Sequence, residues 1–332
     1  MLTPPDGLSD ELLVATLASN WGLVVAAIDY RAVGFGSHHW EIADAAGTRW
    51  FVTVDELRRK RQSRGETLES VLERQRHALA TAVELRELGC KFVVAPVASR
   101  DDAPVVLVAD EFTVSLYPFV EGKSFGWGER ISQEHLHAVL DMVVAVHAAP
   151  VASRSLALAD TYAIQSRDQL ELALDGPGEI PHISGPYTGP MTKLLGRNRA
   201  AIRVLLDRYD ELVSLARSSP SRSVLTHGEP HPGNTMLTED GWRLIDWDTV
   251  LLAPPERDLW MVDPGDGSVF ASYAASTGVE PAGALLELYR TRWDLTDLAI
   301  EVSRFLQPHK GTDEDQKAWQ LLTGLTGQIG AS

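Results

Sequence analysis

Between Val224 and Leu237 the chain reads VLTHGEPHPGNTML, and twelve residues past Asn234 stands Asp246, in WRLIDWD. Short apolar runs enter and leave a segment whose middle is fixed by glycine and proline, so this stretch is expected to form a tight loop between two short strands. The loop carries a carboxylate, Glu229, and a carboxamide, Asn234; the second run ends in another carboxylate, Asp246. Phosphoryl transfer needs an acidic group to orient the attacking hydroxyl and hard oxygen ligands to hold magnesium on nucleotide phosphates. Each residue alone has a plainer reading: His227 as a structural hydrogen-bonder, Asn234 as a turn residue, Asp246 as a loop cap. Together, in this order, they are better explained by catalysis, with Glu229, Asn234 and Asp246 catalytic and Asn234 and Asp246 the metal ligands.

The rest of the chain must build a frame for that loop, and 332 residues suffice for one large two-lobed domain or two ordinary ones. Hydrophobic residues at 44% and charged residues at 23% are globular rather than disordered usage. Thirty basic against 46 acidic residues give a net charge of −16, which disfavours nucleic acid and anionic membrane as partners and favours a cationic one. The single Cys90 excludes an intramolecular disulfide, and no Cys/His cluster has structural-zinc spacing. It is expected to be a buried, inert thiol. With no basic leader and no apolar run near the roughly 20 residues of a membrane span, the chain reads as cytoplasmic, a monomer or homodimer.

Periodicity supplies the frame. Leu8 to Trp21 has helical spacing behind Ser9 as N-cap, and Trp21 to Val33, His38 to Asp44 and Thr48 to Val54 read as a β-meander. Thr67 to Leu88 reads as one helix closed by Gly89. Strands are expected over Phe92 to Ala98, Val105 to Val108 and Phe112 to Val120, with a hinge at Glu121 to Ser124 and a helix over Ser132 to Ala149. The remainder is mainly helical, with an exposed Gly/Pro-rich loop from Asp175 to Pro190. This order predicts a two-lobed α+β architecture. A small β-rich lobe spans residues 1–120 and a larger, mainly helical lobe residues 121–332.

HGEPHPGN followed by LIDWD resembles the catalytic loop H-G-D-x-x-x-x-N and the I-D-W/F strand end of the aminoglycoside phosphotransferases and their choline-kinase-like relatives, which share the protein-kinase fold. APPERDL, YPFVEG and the segment from Tyr289 to Asp297 look most like the spectinomycin-phosphorylating branch. The resemblance implies a kinase that moves the γ-phosphate of ATP or GTP, with Mg2+, onto a hydroxyl of a small, cationic molecule such as an aminoglycoside or aminocyclitol. A role in antibiotic resistance follows from that. The alternatives are a kinase for a sugar, choline-like or amino-alcohol metabolite, or an impaired kinase-fold binding protein. It also implies a nucleotide loop at Gly34, Phe35, Gly36 and Ser37 and an adenine-facing strand through Tyr117, Phe119 and Val120. Asp248 would support the metal site, Asp258 would tie the loop to its lobe, and Asp294, Asp297 and Glu301 would contact substrate ammonium groups.

Two positions depart from the family pattern. Thr53 stands where family members carry a lysine for the nucleotide phosphates, and the following helix aligns His77 or Ala78, or a displaced Glu73, with that lysine's glutamate partner. The basic run Arg58 to Arg61 could supply another cation, but a solvated helix face is the favoured reading for it. Glu229 replaces an aspartate, moving the carboxylate by roughly 1.5 Å, and misplacement of about 1 Å can cost on the order of a hundredfold in rate.

Overall fold

A computed structural model describes residues 1–150, 156–176, 185–218 and 223–331. The chain divides into two compact units. The first comprises Met1–Lys60, Leu68–Asp160 and Arg222–Pro281, the second Arg61–Thr67, Thr161–Ser221 and Ala282–Ser332.

The first unit begins with α1 (Asp10–Trp21), capped by the Ser9 side chain accepting from the Leu12 amide. A five-stranded antiparallel sheet follows, built from β1 (Val25–Arg31), β2 (His38–Asp44), β3 (Arg49–Glu56), β4 (Val106–Val108) and β5 (Phe112–Pro118), in the order β1-β2-β3-β5-β4. Its alternation sorts the side chains. Trp40, Ile42, Val52, Val54, Val114 and Leu116 are buried on one face with Leu13 and Leu17 of α1. Cross-strand partners His39, Thr53 and Ser115, with Phe51 and Tyr117 beside them, therefore share the opposite face. Between β3 and β4 lies α2 (Leu68–Glu87), which buries Val71, Leu72, Ala78 and Leu79.

The meander and both helices follow the sequence pattern, with ends shifted by a few residues. Phe92 to Ala98 is not a strand. It makes one bridge, Val93 to Leu244, and one backbone bond to β5, from the Val97 amide to the Leu116 carbonyl, so the apolar run is a connector between the later hairpin and the sheet instead of a strand. The expected hinge contains a two-residue strand, β6 (Lys123–Ser124), which pairs with β8 (Thr235–Thr238), itself paired with β9 (Gly241–Leu244). α3 (Gln133–His147) starts at the N-cap Ser132. β7 (Val224–Thr226) pairs with β10 (Leu251–Ala253), which leads into α6 (Glu256–Val262) and then α7 (Ser268–Thr277).

The second unit is helical: α4 (Arg167–Asp175), α5 (Thr188–Ser218), α8 (Gly283–Phe305) and α9 (Asp313–Ala331). Leu170, Leu195, Leu206, Leu295, Leu298 and Phe305 form its buried center. Of the expected loop from Asp175 to Pro190, residues 177–184 lie outside the described residues, and its last three already belong to α5. Among the described residues no helix is long and apolar enough to cross a membrane.

Candidate active site

The loop from His227 to Asn234 is held almost entirely by its own backbone and by one buried carboxylate. Asp258, at 0% exposure in α6, accepts from the His227 amide at 2.9 Å, the Gly228 amide at 2.6 Å and the His147 imidazole at 3.1 Å. Burial raises the Asp258 carboxyl, but the His147 bond and the nearby Arg257 guanidinium hold it below the usual carboxylate range. Its expected tethering role is therefore the observed geometry. Gly228 has φ +101, and a Cβ there would meet the Arg257 guanidinium at 2.4 Å, so the close approach requires glycine. Arg257 is engaged with Thr226 and with the Thr249 carbonyl.

His227 fixes the two halves of the site to each other. Its Nδ1 accepts from the Glu229 amide at 3.2 Å, which leaves Nε2–H to donate to the Ile245 carbonyl at 3.0 Å. Burial lowers its pKa to about 4, so the ring is neutral at pH 7. The Ile245 amide in turn donates to the Asn234 carbonyl, and the Asn234 side-chain nitrogen to the Glu229 carbonyl, at 3.0 Å. Glu229 keeps 31% of its side-chain surface, with Oε2 3.8 Å from His231 Nε2.

At Asp246 the backbone turns into the left-handed region, φ +65, a conformation that costs a non-glycine residue about 1 kcal/mol or more. The turn sends Trp247 inward, where it is 1% exposed, donates to the Leu244 carbonyl and packs edge-on against His227. Asp246 and Asp248 flank it. Crowding and the neighboring Asp248 and Glu229 carboxylates push Asp246 well above the usual range, whereas Lys60 holds Asp248 below it despite the crowding.

Lys60 is the residue that sequence reasoning placed wrongly. Its Nζ lies 2.8 Å from Asp248 Oδ2, 3.1 Å from Asp55 Oδ1 and 3.4 Å from Ser37 Oγ. Residues 57–60 form a turn rather than a helix face. Arg58 pairs outward with Glu111 and Arg59 with Glu56, while the Arg74 guanidinium clamps the Lys60 carbonyl at 2.6 Å. Asp55 and Gln75 were also missed. Asp55 accepts from Ser37 Oγ and from Gln75 Nε2, and Gln75 Oε1 accepts from Thr113. Both left a trace: Asp55 follows Thr53 by two in a strand, and Gln75 is the polar residue inside the apolar stripe of α2. His77 instead bonds the Leu156 carbonyl, and Glu73 pairs with Arg76 at the surface.

The remaining expected residues fall into two groups. Gly34 and Gly36, at φ +71 and +80, form the turn between β1 and β2, with Phe35 exposed at its tip and Ser37 buried on Asp55. Thr53 Oγ1 lies 3.3 Å from Nδ1 of His39, which stacks on Phe51 and is held neutral by burial, its pKa about 4. Burial and the Asp246, Asp248 and Asp55 carboxylates push the Tyr117 phenol up, an influence that reaches from the catalytic-loop side to β5. Phe119 carries the Arg49 guanidinium over its ring and donates its amide to the Arg49 carbonyl, and Val120 is half-buried. Asp294, Asp297 and Glu301 lie in the second unit, at helical spacing on α8. They are half-buried rather than solvated, and burial pushes the carboxyls of Asp294 and Glu301 up.

The donor set suits a hard divalent cation. Asn234 spends its nitrogen on a backbone carbonyl, which turns its oxygen free, and Asp246 stands among like charges that a cation would relieve. No three His, Cys, Asp or Glu side chains among the described residues form a ready-made metal group.

Residues 32–299 match the model of the phosphotransferase enzyme family, APH. Protein StrN of Streptomyces griseus is 28% identical over 256 residues, covering 74% of this chain and 75% of that protein. Among solved structures, spectinomycin phosphotransferase APH(9)-Ia with ADP and spectinomycin superposes with a TM-score of 0.71 at 17% identity, covering 98% and 99% of the two chains. An ethanolamine kinase of Plasmodium vivax gives 0.58 at 11%, covering 98% and 96%. Macrolide 2'-phosphotransferase MphH of Brachybacterium faecium gives 0.54 at 17%, covering 95% and 98%. The fold is kinase-like, an N-terminal antiparallel sheet joined to a mainly helical C-terminal part.

Proposed function

The chain belongs to the phosphotransferase enzyme family, and we propose that it transfers the γ-phosphate of ATP or GTP to a hydroxyl of a small cationic acceptor of the aminocyclitol or aminoglycoside kind, in the cytoplasm. The observation that carries this reading is the single backbone-bonded unit joining Glu229, Asn234 and Asp246 through His227 and Ile245. The acidic balance of the chain supports a cationic acceptor.

Glu229 accepts the hydroxyl proton as the acceptor oxygen bonds to the γ-phosphorus, and the bond from that phosphorus to the β-phosphate oxygen breaks, releasing the nucleoside diphosphate. Asn234 and Asp246 would hold magnesium, which when bound neutralizes charge on the phosphates. His227, neutral and doubly bonded, keeps Glu229 and the Ile245 to Asp246 turn in register. The turn Gly34 to Ser37 covers the phosphates, Thr53 lies on the same side, and Tyr117, Phe119 and Val120 line the adenine side. Asp294, Asp297 and Glu301 are the acidic groups for acceptor ammonium groups. A resistance role follows if that acceptor is an antibiotic.

Purified protein incubated with Mg2+ and either ATP or GTP, across aminocyclitols, aminoglycosides, choline, ethanolamine and sugars, should yield one acceptor heavier by a phosphoryl group. No product together with no magnesium-nucleotide binding overturns the reading. A product only with an amino alcohol or sugar moves the assignment to metabolite kinases.

A further inference from the structure

We propose that Lys60 is the phosphate-gripping cation of this site, delivered from the turn after β3 instead of from the strand itself; the proposal rests on the phosphotransferase reading above. The position where the family carries a strand lysine is closed. Thr53 is bonded to His39, whose ring is neutral, stacked on Phe51, and close under the glycine turn: a Cβ on Gly34 would lie 3.1 Å from its Nε2. Neither Thr53 nor the neutral His39 supplies a positive charge, so a side-chain cation for the phosphates has to come from another residue.

Lys60 comes from elsewhere and arrives at the right place. Its ammonium lies beneath the same turn, 3.4 Å from Ser37 Oγ and 4.0 Å from where a Gly36 Cβ would stand. On its other side is Asp248, two residues past Asp246. It thus bridges the loop expected over the phosphates and the carboxylates expected at the metal. Its side chain remains 27% exposed, so an anion can reach it. Ser37 and Gln75 hold Asp55, Thr113 holds Gln75, and Arg74 clamps the Lys60 carbonyl, so both ends of the lysine are anchored. In this arrangement α2 offers the neutral Gln75 to the site in exchange for a glutamate, and the carboxylate that pairs with the lysine is Asp55 on β3. A migrated lysine needs this exchange, because a buried glutamate on α2 without a strand lysine would be an uncompensated charge. With nucleotide bound, phosphate oxygens would take the place of Asp248 as an acceptor of the Lys60 ammonium, and Asp248 would be released to support a bound cation.

The test compares ligands that differ only in phosphate. Dissociation constants of adenosine and of ADP, both with Mg2+, are measured by calorimetry for the wild type, Lys60→Ala and Lys60→Arg, with guanosine and GDP used if the protein prefers guanine. Lys60→Ala should weaken ADP by roughly ten- to a hundredfold, the worth of one hydrogen bond to a charged group, and leave adenosine within about twofold. Lys60→Arg should recover most of the loss. An independent measurement on the wild type avoids any folding defect: an acyl-phosphate derivative of ADP transfers its acyl group to a lysine amine beside the phosphates, releasing ADP, and peptide mapping should find it on Lys60. ADP affinity unchanged in Lys60→Ala, equal loss of adenosine and ADP, or acylation at Lys91 or Lys123 without Lys60 overturns the assignment. A wild type that binds neither nucleoside nor nucleotide overturns the phosphotransferase reading itself; one that transfers phosphate while Lys60→Ala binds ADP normally overturns the role of Lys60 alone.

Discussion

The two faces of the candidate site have diverged in different ways. On the loop side, the bonds that link His227, Glu229, Asn234 and Ile245, with two amides on Asp258, leave almost no freedom, and the sequence departs from the family pattern by one methylene at Glu229. On the sheet side, where the family resemblance leads to a strand lysine and a helix glutamate, Thr53 bonds His39, and Asp55 bonds Gln75 and pairs with Lys60. A site built from backbone can change only by single atoms. A site built from long side chains can keep its charge while changing which residue supplies it, since a lysine reaches from several positions.

The largest expected effect tests the backbone-built side. Asp246→Asn keeps shape but removes the charge proposed to hold the metal, and should lower kcat by on the order of a thousandfold, several kcal/mol of charge stabilization, with unfolding midpoint little changed. An activity within tenfold of wild type would deny Asp246 that role. Next, Asp258→Ala orphans two buried amides at about 1–3 kcal/mol each, and should cost roughly 3 kcal/mol by urea unfolding. A loss below about 0.5 kcal/mol, the scale of a neutral surface change, would mean the loop holds without its tether.

Protonation provides the third comparison. The His227 pKa is about 4 in the folded protein against 6.5 for the free side chain, so between those values the unfolded chain binds a proton that the folded one refuses. Stability should therefore fall as pH drops from about 6.5 to about 4, by up to roughly 3 kcal/mol from this residue. His227→Gln should flatten that slope in urea titrations across the window; an identical slope would locate the proton uptake elsewhere. The smallest effect concerns Glu229. Shortening it to aspartate withdraws the carboxylate from a loop whose backbone is pinned, and kcat should fall about tenfold, less than a full 1 Å misplacement can cost. A rise would show that the loop keeps the geometry of an aspartate site.

How much could be read in advance differs along the same line. HGEPHPGN and LIDWD were legible because loop and strand end lie within twenty residues and constrain each other locally, and α2 and the meander because apolar periodicity reports them. Phe92 to Ala98 misled because an apolar run does not say whether its partner is a sheet or the side of a distant hairpin. Asp294, Asp297 and Glu301 read as a face of a helix, and their half-burial was invisible without the packing of the second unit.

The sequence by itself determined which polar groups the loop carries, the order of sheet and helices, and the absence of a lysine at Thr53. Only the tertiary structure decided what stands beside Lys60. Lys60 lies 188 positions from Asp248 and reads as one of four basic residues in a row, and it becomes part of the site only when β3 and the strand end at Asp246 are brought together. Local rules govern what adjacent residues do to one backbone; a charge on a long side chain is placed by whatever the fold sets beside it.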